Sequence, residues 1–293
     1  MERLMKNERG SILNVVLWAV IFFSLVAVTL GVKAREQIHS LERFVRSARL
    51  KPLAYSGLSY VVGCFGQKDC QPSSELALPH GKFSLAITDE QSKINLNTAS
   101  EKVLTALCSS SEEVGKDRAQ ELAKSTVVWR QRKEEFAEFG HKLSANGAGF
   151  GSVEEWMVVP GMTEKLWTKI KNSLTVYGPG RTNMNTVSEE TMILLGISPS
   201  LAKRITDTRA ELMGDGPFKK DKKAFTDLGD LTQKVGVDSE ENAQLQNLLE
   251  LWGFDTETLR IQSTASSPST GPASSAIECV LDKKGRILYL KDM

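Results

Sequence analysis

Histidine is nearly missing from this chain: His39, His80 and His141 are the 3 it has, and they are scattered. There is no His-Glu-x-x-His run, no nucleophile elbow and no close Cys/His pair, so the short signatures of hydrolases and zinc sites are absent. The sequence therefore reads as non-enzymatic, with no catalytic residue and no cofactor assigned; only a carboxylate site assembled by the fold would escape this reading. An excess of charge is missing too. With 37 Lys and Arg against 36 Asp and Glu, the formal net charge is +1, whereas polyanion binding usually shows as a strongly basic domain or face. The one dense basic run, KKDKK at Lys219 to Lys223, reads as a solvated loop. No nucleic-acid partner is expected.

Cysteine is sparse: Cys64, Cys70, Cys108 and Cys279. If the body lies outside the cytoplasm, these four allow three pairings into two disulfides, and the short Cys64 to Cys70 loop is the favoured one. Charge is wholly lacking in one stretch. From Ser11 to Val32 the sequence SILNVVLWAVIFFSLVAVTLGV carries none, and roughly 22 apolar residues suffice to cross a bilayer as a helix. A cleaved secretory core is about 7–15 residues, so this segment is expected to stay in the membrane. Basic residues flank both ends (Arg3, Lys6 and Arg9 before; Lys33, Arg35, Arg43, Arg46, Arg49 and Lys51 after), so charge counting does not orient it.

Beyond the span, Ile38, Leu41, Val45 and Ala48 recur at helical intervals, which predicts an amphipathic continuation covering a soluble domain, with a bend near Pro52. A loop is expected from Gly63 to Gly81, then a strand in KFSLAITDE, where Phe83, Leu85 and Ile87 alternate with smaller residues. Helical periodicity dominates from Thr98 to about Leu251. Strand patterns return in ETLRIQS and in AIECVLDKKGRILYLKD, separated by a flexible Ser263 to Ser275 connection. Strands thus flank a helical block. The economical topology is α+β: one small antiparallel sheet packed on the long helix, interrupted by a helical insertion, with residues 33–93 and 255–293 as the sheet domain and 94–254 as the insertion.

The insertion carries a duplication. KINLNTASEKVL at Lys93 and RTNMNTVSEETMILL at Arg181 align so that Asn95, Asn97, Thr98, Ser100, Glu101 and Leu107 meet Asn183, Asn185, Thr186, Ser188, Glu189 and Leu195, each 88 residues on (95 to 183). Downstream, ELAKSTVVWR resembles LAKRITDTRA, FGSVEEW resembles FTDLGDL, and KIKNSLTVYG resembles LQNLLELWG. Two copies are read, about Asn95 to Gly178 and Asn183 to Gly253. Thr98 and Thr186 stand three residues before Glu101 and Glu189, the spacing of a capping box, and the asparagines suit the preceding turn. VVPGMTEKLWTKI and LLGISPSLAKRI resemble helix-hairpin-helix modules, but Thr163 and Ser198 replace the second glycine of the phosphate-binding turn, so they read as packing hairpins. NGAGFGS (Asn146 to Ser152) follows no strand, and Ser152 with Glu155 forms another capping-box pattern.

A leader ending Arg9-Gly10, an apolar helix from Ser11 and an insertion opening D-E-x-x-K-I-N-L-N-T (Asp89 to Thr98) together resemble general secretion pathway protein K. That family is the large minor pseudopilin of type II secretion systems, and the resemblance covers almost the whole chain. It implies a pilin-like fold with leader 1–10 and transmembrane helix 11–32. It further implies cleavage by prepilin peptidase between Gly10 and Ser11, methylation of the new N-terminus, and inner-membrane insertion with the body in the periplasm. Partners implied are the minor pseudopilins I and J of the same system, with secreted proteins or the secretin as further contacts. Major pilins carry glutamate at the fifth mature position, where this chain has Val15. In a filament that glutamate pairs with the amine of the subunit above, and a subunit with nothing above it needs no buried carboxylate. The resemblance also leaves open calcium, which some pseudopilins hold. Two competing readings are a membrane-anchored DNA receptor with helix-hairpin-helix repeats and a minor pilin of a type IV pilus.

Overall fold

The computed structural model describes residues 8–65, 72–79, 81–111, 114–138, 149–214, 223–266 and 274–293. Of the residues singled out above, Arg3, Lys6, Cys70, His80, His141, Asn146 and Lys219 to Lys222 lie outside them, as do the side chains of Arg9, Ser11, Arg43 and Arg46. Helix α1 (Glu8–Phe65, 58 residues) continues through Pro52, a length of about 90 Å at the rise of an α-helix. It does two things along that length. From Ile12 to Val32 its apolar side chains are exposed, in a stretch long and apolar enough to cross a membrane. From Leu50 onward, Leu50, Leu53, Ala54, Leu58 and Val61 recur at helical spacing and are buried against a sheet. Ile38, Leu41, Val45 and Ala48, expected to cover the soluble domain, are exposed instead. The buried positions of α1 begin only at Leu50, so the helix before it is not covered by the body.

The sheet has five strands in the order β1-β2-β7-β8-β9, every neighbouring pair antiparallel. These are β1 (Glu75–Leu78), β2 (Gly81–Asp89), β7 (Thr258–Ser266), β8 (Ser274–Asp282) and β9 (Ile287–Asp292). β1 lies within the stretch expected to be a loop; its four residues are all exposed, so no alternation marked it. The serine-rich connection is also shorter than expected, since β7 runs through Ser266 and β8 starts at Ser274. Ladder bonding to β2 and β8 extends a strand through small polar residues that composition alone reads as linker. Phe83, Leu85, Ile261, Ile277, Cys279 and Leu281 pack beneath α1 as one buried cluster.

A second buried cluster extends from Ile94 to Trp252. Its first half comprises β3 (Ile94–Asn95), α2 (Glu101–Cys108), α3 (Lys116–Glu138), a 3-10 turn at Val153–Val158, α4 (Glu164–Ile170) and β4 (Leu174–Thr175). Its second half comprises β5 (Thr182–Asn183), α5 (Glu189–Leu194), α6 (Pro199–Met213), α7 (Leu228–Val235), α8 (Ser239–Gln246) and β6 (Trp252–Gly253). Each half is closed by a two-residue parallel pairing, β3 with β4 and β5 with β6. So short a parallel pair leaves no periodic trace in sequence. The repeats align as expected at their start and at Phe150 with Phe225, both fully buried. The strand pairing, however, makes Leu174 and Thr175 the counterparts of Trp252 and Gly253, so Gly253 matches Thr175 and not Gly178.

The contact between α1 and the sheet is close enough to require glycine. A Cβ on Gly57 would lie 2.3 Å from Ser263 Oγ and 2.9 Å from the Phe83 ring. Gly57→Leu is expected to hold the helix off the sheet and to destabilise the body by about 1–3 kcal/mol or more, read as a lowered denaturant midpoint. An unchanged midpoint would mean that this approach is not maintained in solution.

Candidate functional site

The motif that opens the insertion becomes the junction between the two cores. β2 ends at Asp89, the next residues Glu90–Ser92 form a 3-10 turn, and Asp89, Glu90 and Gln91 are all buried. Asp89 Oδ1 accepts from the Gln91 amide at 2.9 Å. Its Oδ2 accepts from Asn183 Nδ2 at 2.7 Å, the Thr186 hydroxyl at 2.7 Å and the Thr256 hydroxyl at 2.9 Å. Glu90 is gripped by Arg260, with Nε and Nη2 each at 2.6 Å, and accepts from the Thr175 hydroxyl at 2.5 Å. Arg260 extends to Glu278 at 2.5 Å, and Lys93 lies 3.7 Å from Glu90. Gln91 donates to the Arg181 carbonyl at 3.3 Å, and its Oε1 accepts from the Glu257 amide. The chain thus ties the end of β2, strand β7 and both repeats to two adjacent carboxylates.

These carboxylates titrate in opposite directions. Burial pushes Asp89 up, and the hydrogen bonds from Thr186, Gln91, Thr256 and Asn183 only partly offset it. Burial would also push Glu90 up, but the Arg260 hydrogen bonds, the charges of Lys93 and Arg260, and Thr175 hold it below its usual value. The donors around both groups are amides, hydroxyls and a guanidinium, which compete with a cation for the same lone pairs. Among the described residues no cluster of three His, Cys, Asp or Glu side chains could hold a metal.

The expected capping residues have a different use. The N-caps of α2 and α5 are Ser100 and Ser188, whose hydroxyls accept from Val103 N and Thr191 N, and Glu101 and Glu189 are the first helical residues. Neither Thr98 nor Thr186 caps a helix. Each chain bends once more before its helix, because the amides of Ala99 and Val187 bond back to the Asn95 and Asn183 carbonyls. Glu101 and Glu189 instead place charge in the first turn, where the helix dipole favours it. The asparagines do make the local turn, with Asn95 and Asn183 Oδ1 accepting from the Asn97 and Asn185 amides. They also stitch each repeat shut. Asn97 donates to the Phe150 and Val176 carbonyls and accepts from the Phe150 amide. Asn185 does the same with the Phe225 and Phe254 carbonyls and the Ala224 and Phe225 amides. A second pair escaped the sequence comparison: Arg130 Nη1 donates to the Leu96 and Ala99 carbonyls, and Arg209 Nη1 to those of Met184 and Val187. Aligning ELAKSTVVWR with LAKRITDTRA sets these arginines one position out of register.

The hairpin turns carry their own ligands. Gly161, Gly196 and Gly236 all have positive φ, and the helix that follows each is capped by Thr163, Ser198 or Asp238. Side chains therefore already accept from helix N-terminal amides that a phosphate would need. Ser152 makes no capping bond; Glu155 instead accepts from the Gly151 amide. Gly149 at φ +118° brings Asn97 so close that a Cβ would sit 2.6 Å from its Oδ1, which accounts for one glycine of the NGAGFGS run. Cys64 is disulfide-bonded, and Cys108 and Cys279 are free buried thiols.

No family model and no curated protein matches the chain. Among solved structures, a chain of the GspK-GspI-GspJ complex from the type 2 secretion system of enterotoxigenic Escherichia coli aligns with a TM-score of 0.53. The identity is 20%, over 89% of this chain and 99% of that one. The shared architecture is the pilin-like α+β fold with its helical block, so the expected fold class holds.

Because the folded-state pKa of Glu90 is depressed, its stabilisation is present above the usual 4.5 and is lost as pH falls through the lowered value. Asp89, being raised, binds its proton more tightly when folded and runs the other way. Glu90→Gln is expected to cost about 3–5 kcal/mol at pH 7, by leaving Arg260 without its buried partner, and to flatten the acid side of the stability profile. Denaturant unfolding from pH 7 to 3 checks this, and a mutant with the unaltered acid limb would exclude Glu90 as its source.

Proposed function

We propose that this chain is the large minor pseudopilin of a type II secretion system, serving assembly of the pseudopilus tip and not catalysis. The observation that carries the reading is the division of α1. Its apolar span has none buried among the described residues, and the exposed apolar positions continue through Ile38, Leu41, Phe44 and Val45 before the helix meets its own sheet at Leu50. A bilayer covers the first part. Helices of neighbouring subunits cover the second, since exposed apolar surface of that length is tolerated only where a partner shields it. The fold likeness to a chain of a complex named for three pseudopilins supports the same assignment.

On this reading prepilin peptidase cuts after Gly10, Ser11 becomes the methylated N-terminus, the helix stays in the inner membrane and the body faces the periplasm. The minor pseudopilins I and J of the same system pack on α1. Val15, the fifth mature residue, is apolar and exposed, so no carboxylate there asks for the amine of a subunit above. The insertion sits beside the sheet as a bulky block, which fits a terminal place where nothing stacks over it. The competing DNA-receptor reading is disfavoured by the capped hairpin turns and by a net charge of +1.

The test is the N-terminal mass and sequence of protein made in a host with active prepilin peptidase, followed by co-purification with the I and J homologues. A chain beginning at methylated Ser11 that elutes as a complex is expected. A chain beginning at Arg35, after the passable signal-peptidase site Val32-Lys33-Ala34, would mean that the apolar helix is discarded and the filament reading fails. A body that stays monomeric with both homologues present would likewise defeat it.

A further inference from the structure

Asn183 and Thr186 of the second repeat, with Thr256 just past its end, close on the carboxylate of Asp89. By the repeat correspondence their counterparts are Asn95 and Thr98 (88 residues earlier, 183 to 95) and Gly178 (78 earlier, 252 to 174). These three residues line a cleft of about 830 Å³ whose opposite wall is the β8–β9 turn. Asn95 turns its amide to the carbonyls of Tyr177 and Gly178. Thr98 is exposed, and its hydroxyl bonds to no described residue.

The facing wall is built and basic. Asp282 Oδ1 accepts from the Lys284 and Arg286 amides at 2.8 and 2.9 Å, which fixes the turn around Gly285. Lys283 is paired with Glu257 and Arg286 with Asp282, leaving Lys284 with no ion-pair partner among the described residues. Ile287 and Leu288 continue the wall into β9, the outermost strand of the sheet, whose outer edge pairs with no described strand. A cleft this wide beside an open strand edge suits an extended polypeptide more than a small anion, because main-chain bonds to the edge supply affinity and adjacent pockets supply selectivity. Lys284, in the turn that leads into that edge, adds a cation, unpaired among the described residues, that favours an acidic segment over a neutral or basic one.

We propose that a neighbouring subunit of the pseudopilus tip lays an extended segment along β9 and inserts an Asp or Glu side chain into this cleft. Thr98 then bonds the carboxylate as Thr186 bonds that of Asp89, and Lys284 supplies the counter-charge. The inference rests on the tip-subunit reading above. It adds the docking site and the chemistry of what docks.

The test uses the full-length chain, co-expressed with its I and J homologues and purified in detergent, with a photo-reactive phenylalanine analogue replacing Leu288. Crosslinking to a partner segment that contains Asp or Glu is expected. Lys284→Glu with Thr98→Val should cut the crosslinked yield about tenfold, as loss of a charge-assisted contact does, without changing the melting temperature. Lys284→Glu alone, on an exposed turn, serves if the double variant fails to fold. A complex that forms yet gives no crosslink, or gives one indifferent to Lys284→Glu, overturns the cleft assignment and leaves the tip reading standing. Failure of any complex to form overturns both.

Discussion

A carboxylate is tolerated in a protein interior only where other donors replace the water it loses, and Asp89 and Glu90 meet that demand side by side. The sheet domain supplies Arg260 and Lys93 to Glu90, but the insertion completes the donor set of both carboxylates. Asp89 depends on Asn183 and Thr186 of the second repeat, and Glu90 on Thr175 of the first and Arg260 of β7. Separating the units would therefore take Asn183 and Thr186 from Asp89 and Thr175 from Glu90. Each unit has its own apolar cluster, and beside the ring contact of Tyr177 with Tyr289 at 5.6 Å the insertion is held by polar groups whose separation is costly. Such a joint resists sliding, because hydrogen bonds are directional where apolar contact is not.

Within the insertion, the duplicated asparagines solve a problem that small helical units share. Each repeat is a set of short helices with loops crossing its open side, and loop amides and carbonyls there have no ladder to join. Asn97 and Asn185 present a donor and an acceptor together, matching the N–H and C=O of a crossing backbone, and Arg130 and Arg209 satisfy the carbonyls that remain. The two repeats diverge where they meet different surroundings. Just past the second, Thr256 faces Asp89, while at the end of the first Gly178 faces an open cleft.

Much of this was legible in sequence because it follows from short-range rules. An uncharged run from Ser11 to Val32 dictates an apolar helix, alternation in KFSLAITDE dictates a half-buried strand, and repetition of N-x-N-T at a fixed offset declares a duplicated unit. Threonine and serine in place of the second hairpin glycine pointed away from a phosphate cradle, and the structure adds that both residues cap the helix that follows. What the sequence could not decide is where side chains with several possible partners would spend their hydrogen bonds. Thr98 and Glu101 have capping-box spacing, yet Ser100 takes the cap, because the backbone bend at Asn95 delays the helix by two residues. Exposed β1, the two-residue parallel pairings and the extension of β7 and β8 through serines depend on neighbours distant in the chain. The joint at Asp89 and Glu90 is the strongest case. A buried acid beside a strand end reads locally as a turn, and only the arrival of Asn183, Thr186, Thr256 and Arg260, up to 170 residues away, makes it the point on which the two cores are held together.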